Sequence, residues 1–340
     1  MLMASKLKKF LKKCIYKVFS VAIFSNFISL WRGPCSVLMF HRIHRNGNIQ
    51  NNVDPNSGLS ISEKNFDQIL KNLTKKYEII PIDKILFRLK KKSEKHCIVL
   101  TFDDGYLDNF ELALPVLEKY NVPATIFITT RFLDGDCHMW WYELWNIIKK
   151  NETIEIIKKN KVNLWKCITF NQKLKCFKDL RKIIIKLNYK DQNKFLKEIN
   201  QLKRPNFKNL CLNRDHILKL DQHPLITIGS HTHSHAVLSN ETESFVGLEI
   251  KKSKEILEKI VGHEINYIAY PFGNLQEVNK REFEITKKLG YKLGFTTNCK
   301  KISIKDIYSL PRIAVNENNT FDELDLRING LNNFFRKQFS

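Results

Sequence analysis

The sequence predicts an α/β fold in which parallel strands alternate with helices and one helical segment is inserted. Three short apolar runs, at 35–40, 97–102 and 124–128, are typical of strands buried in a parallel sheet. Later strands alternate with helices, which favours either a barrel or an open sheet with helices outside. A stretch without glycine, with apolar residues at helical spacing, predicts a helical insertion at about 138–222.

The remaining elements follow from periodicity and capping residues. Ser62 is a good N-cap for a helix, because apolar residues follow it at helical spacing: Phe66, Ile69, Leu70, Leu73 and Tyr77. A second helix is predicted from Asn109 to Tyr120. After the insertion, the sequence predicts a strand at 225–229, a helix near 244–261, a strand near 266–270, a helix near 277–289, and short strands near 293–297 and 309–315.

Composition excludes some classes of protein. The 340 residues are 43% hydrophobic and 11% aromatic, which excludes wholesale disorder. A net charge of +22 predicts attraction to phosphates, anionic lipid or acidic glycans, although a solvated basic surface explains it equally well. No nucleic-acid partner is expected, since no basic stripe with interleaved aromatics is present. Eight cysteines without a CxxC pair or regular spacing fit a reducing compartment best.

Residues 1–34 form a basic N-terminal segment. Lysines without any acidic residue precede an apolar stretch from Val18 to Trp31, which is shorter than the roughly 20 residues that a membrane-spanning helix needs. No small-x-small cleavage site follows. We expect an amphipathic helix that lies on an anionic membrane surface, with a helix packed on the protein body as the alternative. The chain is therefore expected in the cytoplasm or peripherally at the inner face of the cytoplasmic membrane.

Two clusters of acidic and imidazole side chains follow buried strands. Asp103 and Asp104 place two carboxylates in one pocket with different orientations, so one can bind a metal while the other accepts a proton. His231 and His235 lie four residues apart and can converge on one ion. One carboxylate and two imidazoles leave open positions for water, a pattern suited to zinc and also to iron(II), manganese or cobalt.

The chain resembles the NodB-homology polysaccharide deacetylases of carbohydrate esterase family 4. The segment 101–106, Thr-Phe-Asp-Asp-Gly-Tyr, looks like the first motif of that family, 231–235 looks like its His-Ser/Thr-x-x-His motif, and 270–273 is similar to its third motif. The similarity extends from about Val37 to about Val315. It implies a distorted (β/α) barrel within a deacetylase domain at 35–340, which hydrolyses N-acetyl groups of a polysaccharide or a lipid-linked amino sugar.

The resemblance also implies roles for individual residues. Asp103 would be the base, and Asp104, His231 and His235 would hold the divalent metal, with zinc as the first expectation. The backbone N–H of Tyr106 would help to hold the oxyanion.

The sequence departs from the family pattern in two places. Ala269 stands where the third motif usually has an arginine, and Arg312 is the residue that can supply this charge from another strand, with a surface ion pair as the alternative. The usual late histidine of the general acid is also missing. The sequence resembles a branch with poly-N-acetylglucosamine deacetylases, in which a histidine ends the first strand, so His41 is expected to be the acid, with His44 as its competitor.

Two other functions stay open at this point. Ala269 leaves room for a glycan-binding protein that kept the metal site without catalysis, and an amidohydrolase acting on small amides is the catalytic alternative. Trp140 and Trp141 either stack on a sugar ring or anchor the insertion by packing.

Overall fold

Parallel strands form a curled half-barrel with flanking helices. The computed structural model describes residues 32–45, 57–91, 95–134, 138–158, 161–199, 207–298 and 300–331. In the described chain the strands are β1 (Cys35–Phe40), β2 (Arg42–His44), β3 (Ser60–Ser62), β4 (Glu78–Ile79), β5 (Cys97–Phe102), β6 (Ala124–Ile128), β7 (Thr153–Lys158), β8 (Lys161–Lys166), β9 (Ile226–Ser230), β10 (Tyr267–Ala269), β11 (Leu293–Phe295) and β12 (Ile313–Ala314). The order in the main sheet is β11-β10-β9-β6-β5-β1-β12, with β4 beside β5.

The segment around β12 joins the two ends of this sheet. Leu310 hydrogen-bonds to β11 through its backbone N–H, which donates to Gly294 O at 2.8 Å. A few residues later Ile313 is paired with Leu38 of β1, and Val315 N–H donates to Met39 O at 2.9 Å. Arg312 therefore lies on the stretch of chain that closes the curl.

Helices cover the outside of the sheet. In chain order the described helices are α1 (Glu63–Lys76), α2 (Ile85–Lys90), α3 (Leu114–Tyr120), α4 (Trp140–Lys150), α5 (Phe170–Ile184), α6 (Tyr189–Ile199), α7 (Arg214–Asp221), α8 (Glu243–Val261), α9 (Lys280–Lys288) and α10 (Phe321–Ile328). The hydroxyl of Ser62 caps α1 by accepting from Asn65 N–H at 3.3 Å. None of the helices that the structure describes is both long and apolar enough to cross a bilayer.

Alternate residues of the strands pack into two different cores. Phe40 of β1 and Phe102 of β5 contact Phe66 of α1 with ring centroids 5.2 to 5.8 Å apart, which fixes the helices on the outer face. The intervening residues, such as Val37 and Val99, pack in a separate cluster on the inner face. Because successive side chains of a strand point to opposite faces, one apolar run supplies both cores.

The inserted region has its own core and contains one element that differs from the expected helices. Residues of α4, α5 and α6 form a buried cluster that includes Trp145, Phe177 and Leu196. Between α4 and α5 the chain forms an antiparallel hairpin of β7 and β8, where we expected helix. Farther along, α7 packs Ile217 with the main core of the sheet.

The basic segment 1–34 lies almost entirely outside the described residues, which begin at Arg32, so its expected amphipathic helix stays a prediction. Five cysteines are described, and all five are buried: Cys35, Cys97, Cys167, Cys176 and Cys211.

Candidate active site

The site forms where four neighbouring strands of the parallel sheet end: β9, β6, β5 and β1. Backbone pairing sets the positions: Asp103 N–H donates to Phe40 O at 3.0 Å, and His231 N–H donates to Ile128 O at 2.8 Å. The residue that follows each of β1, β5 and β9 is consequently brought to the same edge of the sheet. This edge collects His41, Asp103 and His231, as is usual for functional side chains of parallel barrels.

Asp104, His231 and His235 form a cluster with the geometry of a metal site. The Oδ1 atom of Asp104 lies 3.3 Å from Nε2 of His231 and 3.2 Å from Nε2 of His235. One ligand atom from each residue lies within 4.8 Å of the other two. All three residues are buried, with 2 to 8% of their surface exposed.

Hydrogen bonding and charge also suit a divalent cation. Nδ1 of His231 lies 2.7 Å from Ala269 O, and because a carbonyl only accepts, Nδ1 carries a proton and Nε2 is the atom that faces Asp104. Burial alone would raise the pKa of Asp104, but the two imidazoles hold it well below its usual value. Once its Nε2 atom is deprotonated, each imidazole can bind a metal ion together with the Asp104 carboxylate, so the three residues fit a metal ion.

The backbone of the cluster lies in an unusual conformation. Asp104, Thr232, His235 and Phe272 have φ angles of 59 to 74°, in the left-handed region that residues other than glycine rarely adopt. Among the described residues, the only other non-glycine residue in this region is Asn121, at the end of α3. Strain of this kind is concentrated at functional sites, where it orients side chains.

Asp103 is held by an arginine rather than by the metal cluster. Arg312 donates from Nη1 to Oδ1 at 2.6 Å and from Nη2 to Oδ2 at 2.7 Å. Although burial alone would raise the pKa of Asp103, the charge of Arg312 holds it below its usual value. Arg312 is only 3% exposed, which excludes the alternative of a surface ion pair.

His41 also lies near Asp103, with its Nε2 atom 4.0 Å from Oδ2. The imidazole lines the same cavity as the metal cluster, and its side chain is 13% exposed. Burial lowers the pKa of His41, against the effect of the nearby carboxylates, so the protonated ring is a stronger acid than free histidine. His44 does not line this cavity, and its Nδ1 atom is near Arg45 O instead.

A cavity of about 360 Å³ opens over these residues. The barrel contributes His41, Asp103 and the metal cluster to its wall, and the insertion contributes Trp140 and Trp141. The rings of Trp141 and His235 are 5.0 Å apart. Both tryptophans are nearly fully buried, so they anchor the insertion and line the cavity at the same time.

Sequence comparison identifies the family. The profile described as polysaccharide deacetylase matches residues 90–166 and 186–294, which is more than half of the chain. The chain belongs to the polysaccharide deacetylase family. Both metal-cluster motifs and the Asp103–Asp104 pair fall inside the matched residues.

Individual members of the family are distant from this chain. A putative polysaccharide deacetylase, YxkH of Bacillus subtilis, is 24% identical over 66% of this chain and 53% of its own length. Poly-beta-1,6-N-acetyl-D-glucosamine N-deacetylases are 23% identical: that of Staphylococcus epidermidis over 71% of this chain and 61% of its own length, and that of Staphylococcus aureus over 86% and 82%. The chain thus spans about half to three fifths of the first two relatives.

Solved structures of family members share the fold. The Streptococcus pyogenes deacetylase PplD, solved with acetate, superposes with a TM-score of 0.53 at 22% identity over 85% of this chain and 96% of its own. IcaB from Ammonifex degensii gives a TM-score of 0.55 at 16% identity over 87% and 97%. These likenesses confirm the expected deacetylase barrel.

Two residues that support the site were not predicted from the sequence. Glu249 of α8 holds the histidine loop, because its carboxylate accepts from Ser234 N–H at 2.7 Å and from Ser234 Oγ at 2.8 Å. Asn109 donates from Nδ2 to His41 O at 2.8 Å and is fully buried. It begins a π-helical turn, which is often found at functional sites.

The signal for Glu249 was present in the sequence of α8. The buried face of this helix consists of Val246, Ile250, Ser253 and Leu257, and Glu249 lies within it. A carboxylate on an apolar helical face needs a partner, since burying it unpaired is unfavourable.

The role of the Tyr106 backbone N–H stays a prediction. The left-handed Asp104 and Gly105 turn the chain just before it.

Proposed function

We propose that this chain is a metal-dependent hydrolase that removes N-acetyl groups from an N-acetylated polysaccharide. One observation carries the proposal: Asp103, which is paired with the buried Arg312, lines one cavity together with His41 and a cluster of three side chains that can hold a metal ion. Family membership supports the same reaction, and the relatives named as poly-N-acetylglucosamine N-deacetylases support an amino-sugar polymer as substrate.

Each residue has a part that follows from its position. Asp104, His231 and His235 would hold a divalent cation, whose positive charge would acidify water and polarise a carbonyl. Asp103, ionised because of Arg312, takes the proton of the attacking water. His41, with its Nε2 atom 4.0 Å from Asp103, gives a proton to the leaving nitrogen, which cannot depart as an amide anion.

The departing amine and the arriving water lie on different sides of the tetrahedral carbon, which is why two proton-transfer groups are useful. The 4.0 Å separation of His41 and Asp103 allows both to reach one acetamide group. The backbone N–H of Tyr106 completes this proposal as a donor to the oxyanion.

Acetate release is the test of the proposal. The purified chain would be incubated with β-linked N-acetylglucosamine oligosaccharides, a lipid-linked N-acetylated sugar and small amides, with and without a chelator. We expect release from the oligosaccharides, its loss with chelator and its recovery with added zinc. Asp103→Asn should reduce turnover by roughly 10²–10⁴ while it retains the metal.

The other outcomes separate the remaining hypotheses. Release from the lipid-linked sugar alone would replace the polymer by a membrane-bound precursor, and release from small amides alone would indicate an amidohydrolase. Binding of the oligosaccharides without any release would favour a glycan-binding protein.

A further inference from the structure

Besides atoms of Asp104 and His235 in the metal cluster, three buried polar atoms of the cavity wall have no hydrogen-bond partner in the part of the chain that the structure describes. They are Oε2 of Glu277 and the indole Nε1 atoms of Trp140 and Trp141. All three side chains line the cavity of the metal cluster, and each residue is at least nine-tenths buried, with 8%, 2% and 5% exposed surface. Buried polar atoms are otherwise almost always paired, so these three indicate groups that a ligand supplies.

The chemistry of these atoms defines a class of ligand. Glu277 accepts hydrogen bonds and the two indoles donate them, which matches hydroxyl groups because each hydroxyl both donates and accepts. A carboxylate disfavours a phosphate or carboxylate group beside it, since like charges repel. Aromatic walls with a few converging polar atoms are typical of small-molecule sites and suit the apolar face of a sugar ring.

A basic side chain lies near Glu277 without pairing with it. Arg181 of α5 lines the cavity and is exposed at its mouth, and no ion pair within 4.0 Å joins it to Glu277. Burial raises the pKa of Glu277 and the charge of Arg181 counteracts it, so the two groups are close enough to interact electrostatically. Because Glu277 and Arg181 line the same cavity without forming an ion pair, a polar ligand has space between them.

We propose that Glu277, Trp140 and Trp141 form a subsite that binds the ring hydroxyl groups of an uncharged N-acetylhexosamine. Arg181 adds a donor at its mouth. Glu277 follows β10 on the barrel and the other three side chains come from the insertion, so the subsite exists only because the insertion packs over the barrel. The inference rests on the proposed function, since it assigns the substrate of the same cavity.

The experiment compares two substrates in Glu277→Gln. One is a β-linked N-acetylglucosamine oligosaccharide, and the other is 4-nitrophenyl acetate, which has an acetyl group and no sugar. We expect kcat/KM for the oligosaccharide to fall by roughly 10- to 100-fold, as for loss of a charged hydrogen bond, while the ester changes by less than about twofold. Trp140→Phe, which removes the indole N–H and keeps an aromatic ring, should lower kcat/KM for the oligosaccharide by roughly 3- to 10-fold.

Glu284→Gln is the matched control, because Glu284 is an exposed carboxylate on α9 away from the cavity and its loss changes the net charge equally. An oligosaccharide that lacks the hydroxyl bound by Glu277 should react with the unmodified chain at a kcat/KM lowered by the same factor. Its kcat/KM should fall no further in Glu277→Gln, because the contact is already missing. The subsite would be overturned if Glu277→Gln and Trp140→Phe lowered kcat/KM equally for the oligosaccharide and the ester. It would also be overturned if neither variant lowered kcat/KM for the oligosaccharide.

Binding distinguishes failure of this inference from failure of the proposed function. Calorimetric titration of the oligosaccharide into zinc-loaded protein would compare Glu277→Gln with the unmodified chain. If no acetate is released from any sugar but Glu277→Gln weakens binding by tenfold or more, the subsite holds and the proposed hydrolysis does not. If binding is unchanged, or the unmodified chain does not bind the oligosaccharide, the subsite is wrong.

Discussion

Arg312 and Asp103 form a two-point ion pair inside the barrel, with both hydrogen bonds shorter than 2.8 Å and both side chains at least 97% buried. The pair joins the segment that closes the curl, residues 310–315 (the closing segment), to the end of β5. It gives Asp103 a positively charged partner although Ala269 stands in the third motif, because the guanidinium reaches the carboxylate from a different segment of the chain.

Arg312→Met is expected to destabilise the chain by about 3–5 kcal/mol, because it leaves the buried carboxylate of Asp103 without a counter-ion. Urea unfolding measures the loss. Arg312→Lys should be intermediate, since lysine restores the charge but cannot form two parallel hydrogen bonds. Lys119→Met, which breaks the exposed pair with Asp67, should cost little. A loss in Arg312→Met as small as that of Lys119→Met would contradict the prediction.

The metal content should depend on two of the three neighbouring histidines. We expect a His231→Ala, His235→Ala double variant to bind no stoichiometric zinc by elemental analysis, because both Nε2 atoms face Asp104. His233→Ala is the matched control from the same loop, since Nδ1 of His233 lies 2.9 Å from Thr130 Oγ1 instead. Full metal occupancy in the double variant would refute the ligand assignment.

Glu249 should influence the metal without touching it. Glu249→Ala frees the loop that carries both ligand histidines, so zinc affinity should fall by roughly 10- to 100-fold, as is typical for residues that orient metal ligands. Competition with a chromogenic chelator measures the affinity. Glu255→Ala, on the exposed face of the same helix, should leave it unchanged. Equal affinities in the two variants would assign Glu249 a purely structural role.

His41 and His44 can be separated by their substrates. His41→Ala should lose most turnover on an N-acetylated sugar and keep much of its rate on 4-nitrophenyl acetate, whose leaving group needs no proton. His44→Ala should behave like the unmodified chain on both, since His44 does not line the cavity. The assignment fails if His41→Ala slows both reactions equally or if His44→Ala shows the selective loss.

His96 makes stability depend on pH at the opposite end of the barrel. Burial, together with the charge of Arg32, lowers the pKa of His96 to about 4 from 6.5. Below pH 6.5 the unfolded chain binds a proton at His96 that the folded chain does not bind. The stability that the neutral ring allows is therefore fully present above pH 6.5 and is lost as the pH falls toward 4.

We expect the unmodified chain to lose roughly 2 kcal/mol more than His96→Gln between about pH 7 and about pH 4.5. Urea unfolding at several pH values measures the difference, which cancels the titration of the other groups. Parallel stability curves for the two proteins would mean that His96 titrates normally.

Strands buried on both faces were predictable, and the hairpin was not. The expected strands at 35–40, 97–102 and 124–128 coincide with β1, β5 and β6, because continuous apolar runs bounded by polar residues leave few alternatives. The hairpin of β7 and β8 lies in a lysine-rich stretch without glycine, so the usual turn signal was missing. Its β-branched Thr153, Ile154 and Ile156 were the remaining signal.

The site was predictable to the extent that its residues follow strands. Asp103, Asp104 and His231 lie within two residues of the ends of predicted strands, and parallel pairing places strand ends together. The contact of Arg312 with Asp103 depends on how the last segment closes the curl, which periodicity does not specify. The left-handed backbone at Asp104 and His235 was not predictable either, since tertiary contacts impose it against the local preference.

The position of the closing segment late in the sequence sets the order in which the residues of the candidate site are synthesised. The three proposed metal ligands and Asp103 precede this segment, whereas Arg312 belongs to it and pairs with Asp103 only once the segment lies between β11 and β1. A growing chain that ends before Leu310 would already contain every ligand of the ion but would leave the charge of Asp103 uncompensated. The proposed activity should therefore appear only after the closing segment has been synthesised and docked, later than the synthesis of the three proposed metal ligands.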